Sequence, residues 1–324
     1  MNAASMNPDG VTLSVIVVNW KVREMLRGCL ASLATGTALG ADRMQVVVVD
    51  NASNDGSVEM VRTEFPGVTL IENDFNGGFG AANNQALPLC KGEYVLLLNP
   101  DTVVLSGAID RMLEIASANR SIAALGCRLQ NGDGTLQKWT GGDFPNVGNL
   151  LCHYFFLDRL LPAAWRPAPL YLDRDVRQDL SVGWVSGACM LLRRSALGEH
   201  IFDPAFFMYG EDMELCHRLR CQGHEVVYTP AATVIHYQGA SMRQQEGDIL
   251  LSSLKGPRQF YLMKWGSGAR LYDAITLSGF ALRWILYSIV GLAWRRDVMR
   301  SRAASSLHYV HIVLRLMRKG SAGT

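Results

Sequence analysis

Three stretches of this chain share one design, and it limits what the chain can become. LSVIVVNW (13–20), VVVVDN (46–51) and YVLLLNPD (94–101) are nearly continuous apolar runs that end abruptly in Asn or Asp. A run without polar alternation is buried on both faces, as a strand in a parallel sheet covered by helices is. Helical patterns follow over 22–33, 57–65 and 106–118, so strands alternate with helices in right-handed βαβ units. Such units bring all the strand ends to one edge, where open α/β sheets bind ligands. Asn19, Asp50, Asn99 and Asp101 all sit at that edge. An acid ending a single strand is more often a turn or a helix cap. Several on one edge describe a site.

The same alternation continues on either side of the 94–101 run. A short strand over 68–71 opens into a polar, glycine-rich stretch with Gly77, Gly78 and Gly80, and a fifth strand is expected over 122–127. NGDG at 131–134 predicts a hairpin turn, hence an antiparallel element. Residues 140–180 read as an irregular, variable region over the site, and 182–192 as a buried strand. A helix over 211–222 is closed by Gly223, and short strands at 226–228 and 232–235 lead into His236.

Composition narrows the class. With 324 residues, 49% hydrophobic content and a formal net charge of +2, neither a disordered chain nor a nucleic-acid binder is expected. Seven cysteines without a CxxC pair, several inside apolar runs, suit reduced thiols in a reducing compartment. No secretory signal is read in the first dozen residues, so the cytoplasm is the expected location. Neither GxGxxG nor a P-loop follows the first strand, which disfavours hydride transfer and P-loop chemistry. Cys216, His217, Cys221 and His224 lack zinc-knuckle spacing, and no zinc is expected.

Taken in order, LSVIVVNW, VVVVDNASNDGS, NGGFGAANN, LLLNPDT, GWVSGACMLLRR and FFMYGEDMELCHRLRCQGHEV resemble the family 2 glycosyltransferases over about residues 12–240. The NPDT wording, the GED helix and the later histidine look most like the rhamnosyltransferase branch, which uses dTDP-rhamnose. The resemblance implies a GT-A fold, an α/β Rossmann-like mixed sheet with a C-terminal helical appendage. It implies that Asn19, Asp50, Asn76, Gly78, Phe79, Asn84, Asn99 and Asp101 contact the nucleotide-sugar. Asp101 matches the last acid of the DXD element, which binds Mg²⁺ or Mn²⁺ across the two phosphates; Asn99 replaces its first acid. His236 resembles the histidine that completes such a metal site, although a lone histidine after a strand is as often structural. Asp212 matches the catalytic base, with Glu211 beside it as an acceptor contact. Alone, two acids at a helix start would only match the helix dipole. Trp184 stands either as a sugar-stacking ring or as core.

The last segment differs from the rest. Residues 271–294 are almost wholly apolar but carry Arg283 at the centre, and 295–319 hold seven Lys or Arg against one acid. A central Arg costs a spanning helix about 2.5–3.5 kcal/mol, so a helix lying on an anionic membrane surface is favoured over a crossing one, with a homodimer interface as the other reading. The expected division is a disordered stretch over 1–11, a catalytic domain over 12–245 and a helical segment over 246–324. The implied partners are a nucleotide-sugar donor, a polyprenyl-diphosphate-linked or glycan acceptor, and the inner face of the cell membrane.

Overall fold

The computed structural model describes residues 10–237, 246–266, 268–293 and 297–320; positions 1–9 of the expected disordered start lie outside them. The first half runs β1 (Leu13–Asn19), α1 (Arg23–Gly36), β2 (Met44–Asp50), α2 (Ser57–Glu64), β3 (Thr69–Glu72), α3 (Phe79–Ala86), β4 (Tyr94–Leu98), β5 (Thr102–Val104), α4 (Ala108–Ala118) and β6 (Ile122–Gln130). There follow β7 (Gly141–Gly142), α5 (Val147–Phe155), β8 (Leu180–Ser181), β9 (Trp184–Val185), β10 (Cys189–Arg193), α6 (Glu211–Cys221) and β11 (Glu225–His236). Helices α7 (Glu246–Trp265), α8 (Ala269–Ala293) and α9 (Asp297–Gly320) close the chain.

The three apolar runs are neighbours. The main sheet has the order β3-β2-β1-β4-β10-β6-β11-β5, with β8 beside β11, and β1 lies parallel to both β2 and β4. Its register pairs Asn19 with Asp50 and Val17 with Leu98, so the polar ends of all three runs leave the sheet at one level. Leu26, Leu30 and Leu33 of α1 and Ile109 and Met112 of α4 bury against Val15, Val17, Leu96 and Leu98. Burial at about 1.5–3 kcal/mol per large side chain makes this layer the main source of stability.

The structure departs from the sequence expectation where polar groups interrupt an apolar run. The run 182–192 is two strands: β9 pairs with β7 in a separate small sheet, and the chain then turns through Ser186–Gly187 into β10, which runs antiparallel between β4 and β6. Conversely, 226–228 and 232–235 are one strand, β11, with an irregular register between Thr229 and Thr233 around Pro230. Proline has no N–H to give the ladder, so the strand bulges there and resumes. The NGDG turn forms, with Gly134 N–H on the Asn131 carbonyl at 2.9 Å, but the hairpin stops at a single bridge between Gln130 and Leu136.

The chain divides into two compact units, Met1–Gly142 with Tyr171–Gln245, and Asp143–Leu170 with Glu246–Thr324. Residues 143–170 therefore group with the C-terminal helices instead of with the main sheet. Helix α8 passes so close to α5 that a Cβ on Gly279 would lie 2.4 Å from the Tyr154 Cβ. Arg283 donates to the His153 and Tyr154 carbonyls, and Phe280 lies edge-on to Tyr154 at 5.2 Å. Arg258 and Asp273, paired through two hydrogen bonds of 2.6 and 2.8 Å, tie α7 to α8.

One buried cation pins the main sheet to its helix layer. Arg193, 8% exposed, donates to the carbonyls of Ile122 (3.1 Å), Ala116 (2.5 Å) and Asn119 (3.3 Å) and to the Tyr94 hydroxyl (3.1 Å). It so meets carbonyls at the end of α4, of which Asn119 also takes the Ile122 amide. Arg193→Met is expected to lower unfolding free energy by on the order of 3 kcal/mol, because these buried acceptors lose a charged donor, with Arg193→Lys recovering part of the loss. The shift of the denaturation midpoint at unchanged slope measures it.

Candidate active site

The ends of β1 and β2 lock together before any ligand is considered. Asn19 Nδ2 donates to Asp50 Oδ1 at 2.7 Å and to Ser53 Oγ at 3.0 Å, while Ser53 returns its hydroxyl (2.6 Å) and amide (2.9 Å) to Asp50. Asp50 is 3% exposed, so much of its accepting capacity is spent on the turn it starts. Asn19 Oδ1 is buried without a hydrogen-bond partner, which leaves one acceptor of this cluster uncommitted.

Asn51 then ties this turn to the glycine-rich stretch, donating to Asn76 Oδ1 and the Gly78 carbonyl, both at 3.3 Å. Gly78 has φ +90°, and a Cβ there would meet the Phe207 ring at 2.9 Å, so only glycine lets the two backbones approach. Phe79 packs on Phe202, with centroids 5.5 Å apart. Asn84 does not offer its amide to a ligand: Nδ2 donates to the Phe202 carbonyl at 2.7 Å, and Oδ1 accepts from Ile201 and Phe202 at 2.8 and 2.9 Å. It anchors the 201–207 loop instead.

Past β4 the chain turns through Asn99-Pro100-Asp101 and re-enters the sheet as β5, antiparallel to β11 with Thr102 opposite His236. That pairing, with Tyr237 N–H on the Asp101 carbonyl at 2.9 Å, brings His236 to the carboxylate. His236 Nε2 lies 3.2 Å from Asp101 Oδ1 and 3.3 Å from Asn99 Nδ2; Nδ1 lies 2.8 Å from Gln137 Oε1. Among the described residues no three His, Cys, Asp or Glu gather as a metal site. Asp101 and His236 place two donor atoms 3.2 Å apart, and phosphate oxygens and water commonly complete such a set. Mixed carboxylate and imidazole donors fit Mn²⁺ well.

The third part is the start of α6. Gly210 at φ +88° follows Tyr209 at φ +65°, two left-handed residues in succession, and the bend turns Glu211 and Asp212 back toward the sheet edge. The amides of Met213, at 2.8 Å, and Gly187 donate to the Asp212 carboxylate. Burial pushes the Asp212 carboxyl above the ordinary aspartate range, and burial with the neighbouring Asp212 charge pushes Glu211 up further. Glu211 is 7% exposed, and its Oε2 has no hydrogen-bond partner.

Gly187 links the two halves. One residue on, the Ala188 carbonyl accepts the Asn99 amide at 2.9 Å, so a two-residue stretch carries both the turn of Asp101 and the carboxylate of Asp212. Trp184 is core: 4% exposed, it meets Tyr171 edge-on at 6.0 Å. The ring of that series facing solvent is Trp139, 60% exposed, beside Tyr171 at 6.1 Å. Sequence reasoning missed Ser53, Gln137 and Gly187. Ser53 and Gly187 stood inside quoted motifs, and Asn51 among the polar strand ends, whereas LQKW around Gln137 carried no signal.

Comparison with known proteins places this arrangement. A family profile described as glycosyl transferase family 2 matches residues 14–201. The N-acetylglucosaminyl-diphospho-decaprenol L-rhamnosyltransferase of Mycobacterium tuberculosis is 31% identical over 245 residues, 71% of this chain and 77% of its own. The rhamnosyltransferase WbbL of Escherichia coli is 26% identical over 72% of this chain and 88% of its own. Among solved structures, the mannosyltransferase PcManGT of Pyrobaculum calidifontis, in complex with GDP-Man and Mn²⁺, superposes with a TM-score of 0.60 at 15% identity, covering 93% of this chain and 85% of that one.

The raised Glu211 carboxyl has a consequence for stability. The folded protein holds the Glu211 proton more tightly than the unfolded chain does, so its contribution is full in acid and is lost as pH rises through the raised value. Glu211→Gln, a neutral isostere, is therefore expected to raise the melting temperature, by more in mildly alkaline than in acidic buffer; thermal melts across pH check it.

Proposed function

Since the chain belongs to glycosyl transferase family 2, we propose that it is an inverting transferase that moves L-rhamnose from dTDP-L-rhamnose to a hydroxyl of a lipid-linked or polysaccharide acceptor in cell-envelope glycan synthesis. The observation that carries this reading is the tether through Gly187–Ala188, whose hydrogen bonds join the turn before Asp101 to the Asp212 carboxylate. The rhamnose donor and polyprenyl-linked acceptor follow the names of the relatives from M. tuberculosis and E. coli.

Each residue then has a task. The Asn19, Asp50 and Asn51 turn and the Gly78 backbone line the nucleoside end. Asp101 and His236 would hold a divalent ion, which supplies positive charge to the departing diphosphate. Asp212 accepts the proton of the acceptor hydroxyl as its oxygen attacks the anomeric carbon, the C–O bond to the diphosphate breaks, and the configuration inverts. A carboxylate made more basic by burial, yet still ionised near neutral pH, suits that step. Glu211, kept protonated by burial and by Asp212, is able to donate its proton in a hydrogen bond to an acceptor hydroxyl.

The C-terminal unit supports work at a membrane surface on the cytoplasmic side. Helix α8 is long and apolar enough to cross a membrane. However, Arg283 is turned inward onto α5, while Ile285, Ile289 and Leu292 form an exposed stripe at helical spacing. Arg300, Arg302 and Arg315 on α9 are exposed too, a composition that suits an interfacial helix on anionic lipid.

A panel of dTDP-rhamnose, UDP-galactofuranose and UDP-N-acetylglucosamine, each with a polyprenyl-diphosphate acceptor, tests the donor; transfer only from a UDP-sugar overturns the rhamnose assignment. Asp212→Asn is expected to fold, bind dTDP and lose about 10²- to 10⁴-fold in kcat. Wild-type turnover is expected to fall as acid protonates Asp212, with a midpoint above the ordinary aspartate range. Sedimentation with anionic vesicles is expected to be salt-sensitive and abolished by Ile289→Glu with Leu292→Glu. A salt-insensitive soluble dimer would instead assign that face to a second subunit.

A further inference from the structure

Trp139 stands in a pose that a large side chain adopts at a cost. Its φ is +65°, in the left-handed region where glycine is at ease and bulky residues are rare, and its ring is 60% exposed. Strain of that kind persists only where the surroundings impose it. Here they do. The Trp139 N–H donates to the Leu172 carbonyl at 2.9 Å, the Gln137 N–H donates to the Leu129 carbonyl of β6 at 2.9 Å, and the Thr140 carbonyl accepts the Ser186 N–H at 2.9 Å. The backbone is clamped at three points, and what the clamp presents to solvent is an indole. Tyr171 braces that ring, with centroids 6.1 Å apart and planes tilted by 53°, and Tyr171 in turn stands edge-on to the buried Trp184 at 6.0 Å. A tilted contact supports a ring without lying flat over its face.

The place of this segment on the sheet edge narrows what the ring meets. Ser186, which holds Thr140, adjoins Gly187, whose amide holds the Asp212 carboxylate. In the strand order β3-β2-β1-β4-β10-β6-β11-β5, the turn of Asn19, Asp50 and Asn51 lies to one side of β4 and β10, and Trp139 is tied through Gln137 to β6 on the other. The nucleoside end and the indole are thus on opposite sides of the Gly187 tether. We propose that Trp139 is an acceptor-binding residue whose open face takes the C–H face of the pyranose that carries the attacking hydroxyl. This rests on the transferase reading above. A flat apolar ring buries the C–H face of a pyranose and leaves the sugar's hydroxyls free at its rim, one of them for Asp212. A platform set before binding also spares the complex the cost of ordering a side chain.

The test uses the full-length protein and a short-chain polyprenyl diphosphate, with and without N-acetylglucosamine, the sugar in the name of the M. tuberculosis relative. Trp139→Ala is expected to raise the KM for the sugar-bearing acceptor by about 10- to 100-fold, with kcat and the KM for dTDP-rhamnose within a few-fold of wild type. Trp139→Phe keeps a flat ring and is expected to stay close to wild type. Without any donor, the sugar-bearing probe is expected to quench tryptophan fluorescence more in wild type than in Trp139→Phe. The sugar-free probe should bind wild type and Trp139→Ala alike. An unchanged acceptor KM in Trp139→Ala overturns the proposal, as does a parallel rise in the donor KM or no quenching in wild type. An equal loss on the sugar-free probe also overturns it, and gives the ring to the lipid chain instead. Should Trp139→Ala not fold, Trp139→Gly, whose backbone is at ease at this φ, takes its place. If no donor is used at all, the transferase reading falls, while the fluorescence difference still decides the platform.

Discussion

The hydrogen bond from the Asn99 amide to the Ala188 carbonyl sets the working distances of this protein. It joins the end of β4 to the start of β10, and the adjacent Gly187 amide reaches the Asp212 carboxylate. A displaced β10 would therefore move the Asn99–Asp101 turn and the Asp212 carboxylate together. Its position is over-determined, with β4 and β6 on either side and Arg193 at its far end bonded into the α4 terminus. Side chains mounted on such a strand are held in one geometry more firmly than side chains on a loop.

The second constraint is strand pairing at the far edge. His236 is 135 positions beyond Asp101 in the chain, and it meets the carboxylate only because β5 and β11 run antiparallel with Thr102 opposite it. The 137–140 segment then touches both halves: Gln137 holds the imidazole, and the Thr140 carbonyl takes the Ser186 amide at 2.9 Å. Between them Trp139 sits in a left-handed conformation, φ +65°, unusual for a bulky residue and typical of positions the surroundings impose.

Electrostatics divide the site in two. Around Asp50 the neighbouring Asn19 amide and the Ser53 hydroxyl and backbone N–H donate hydrogen bonds, so the carboxylate organises a turn. At α6, burial opposes ionisation of two adjacent acids, and the bend at Tyr209–Gly210 keeps them there. The cost of that pair is borne by the folded protein. Stability is given up at the place where a basic carboxylate and a protonated one are both useful.

The apolar runs ending in Asn19, Asp50 and Asn99 were enough to place a parallel sheet and its ligand edge, because uninterrupted burial on two faces leaves no other element of that length. The ordered motifs were enough to point to the family. Other features were decided by tertiary contacts. Asn84, read from its motif as a ligand contact, anchors a loop, and of the two readings left open for Trp184 the structure gives the core, since position along a chain does not say which way a side chain's contacts are spent. Residues 143–170 packed onto the C-terminal helices, and Arg283 turned inward to α5, both through contacts between distant segments. Gln137 had no local signal at all. Its role exists only where β6, β11 and the 131–137 turn meet, because a hydrogen bond between residues 99 positions apart is written in the fold and not in any window of sequence.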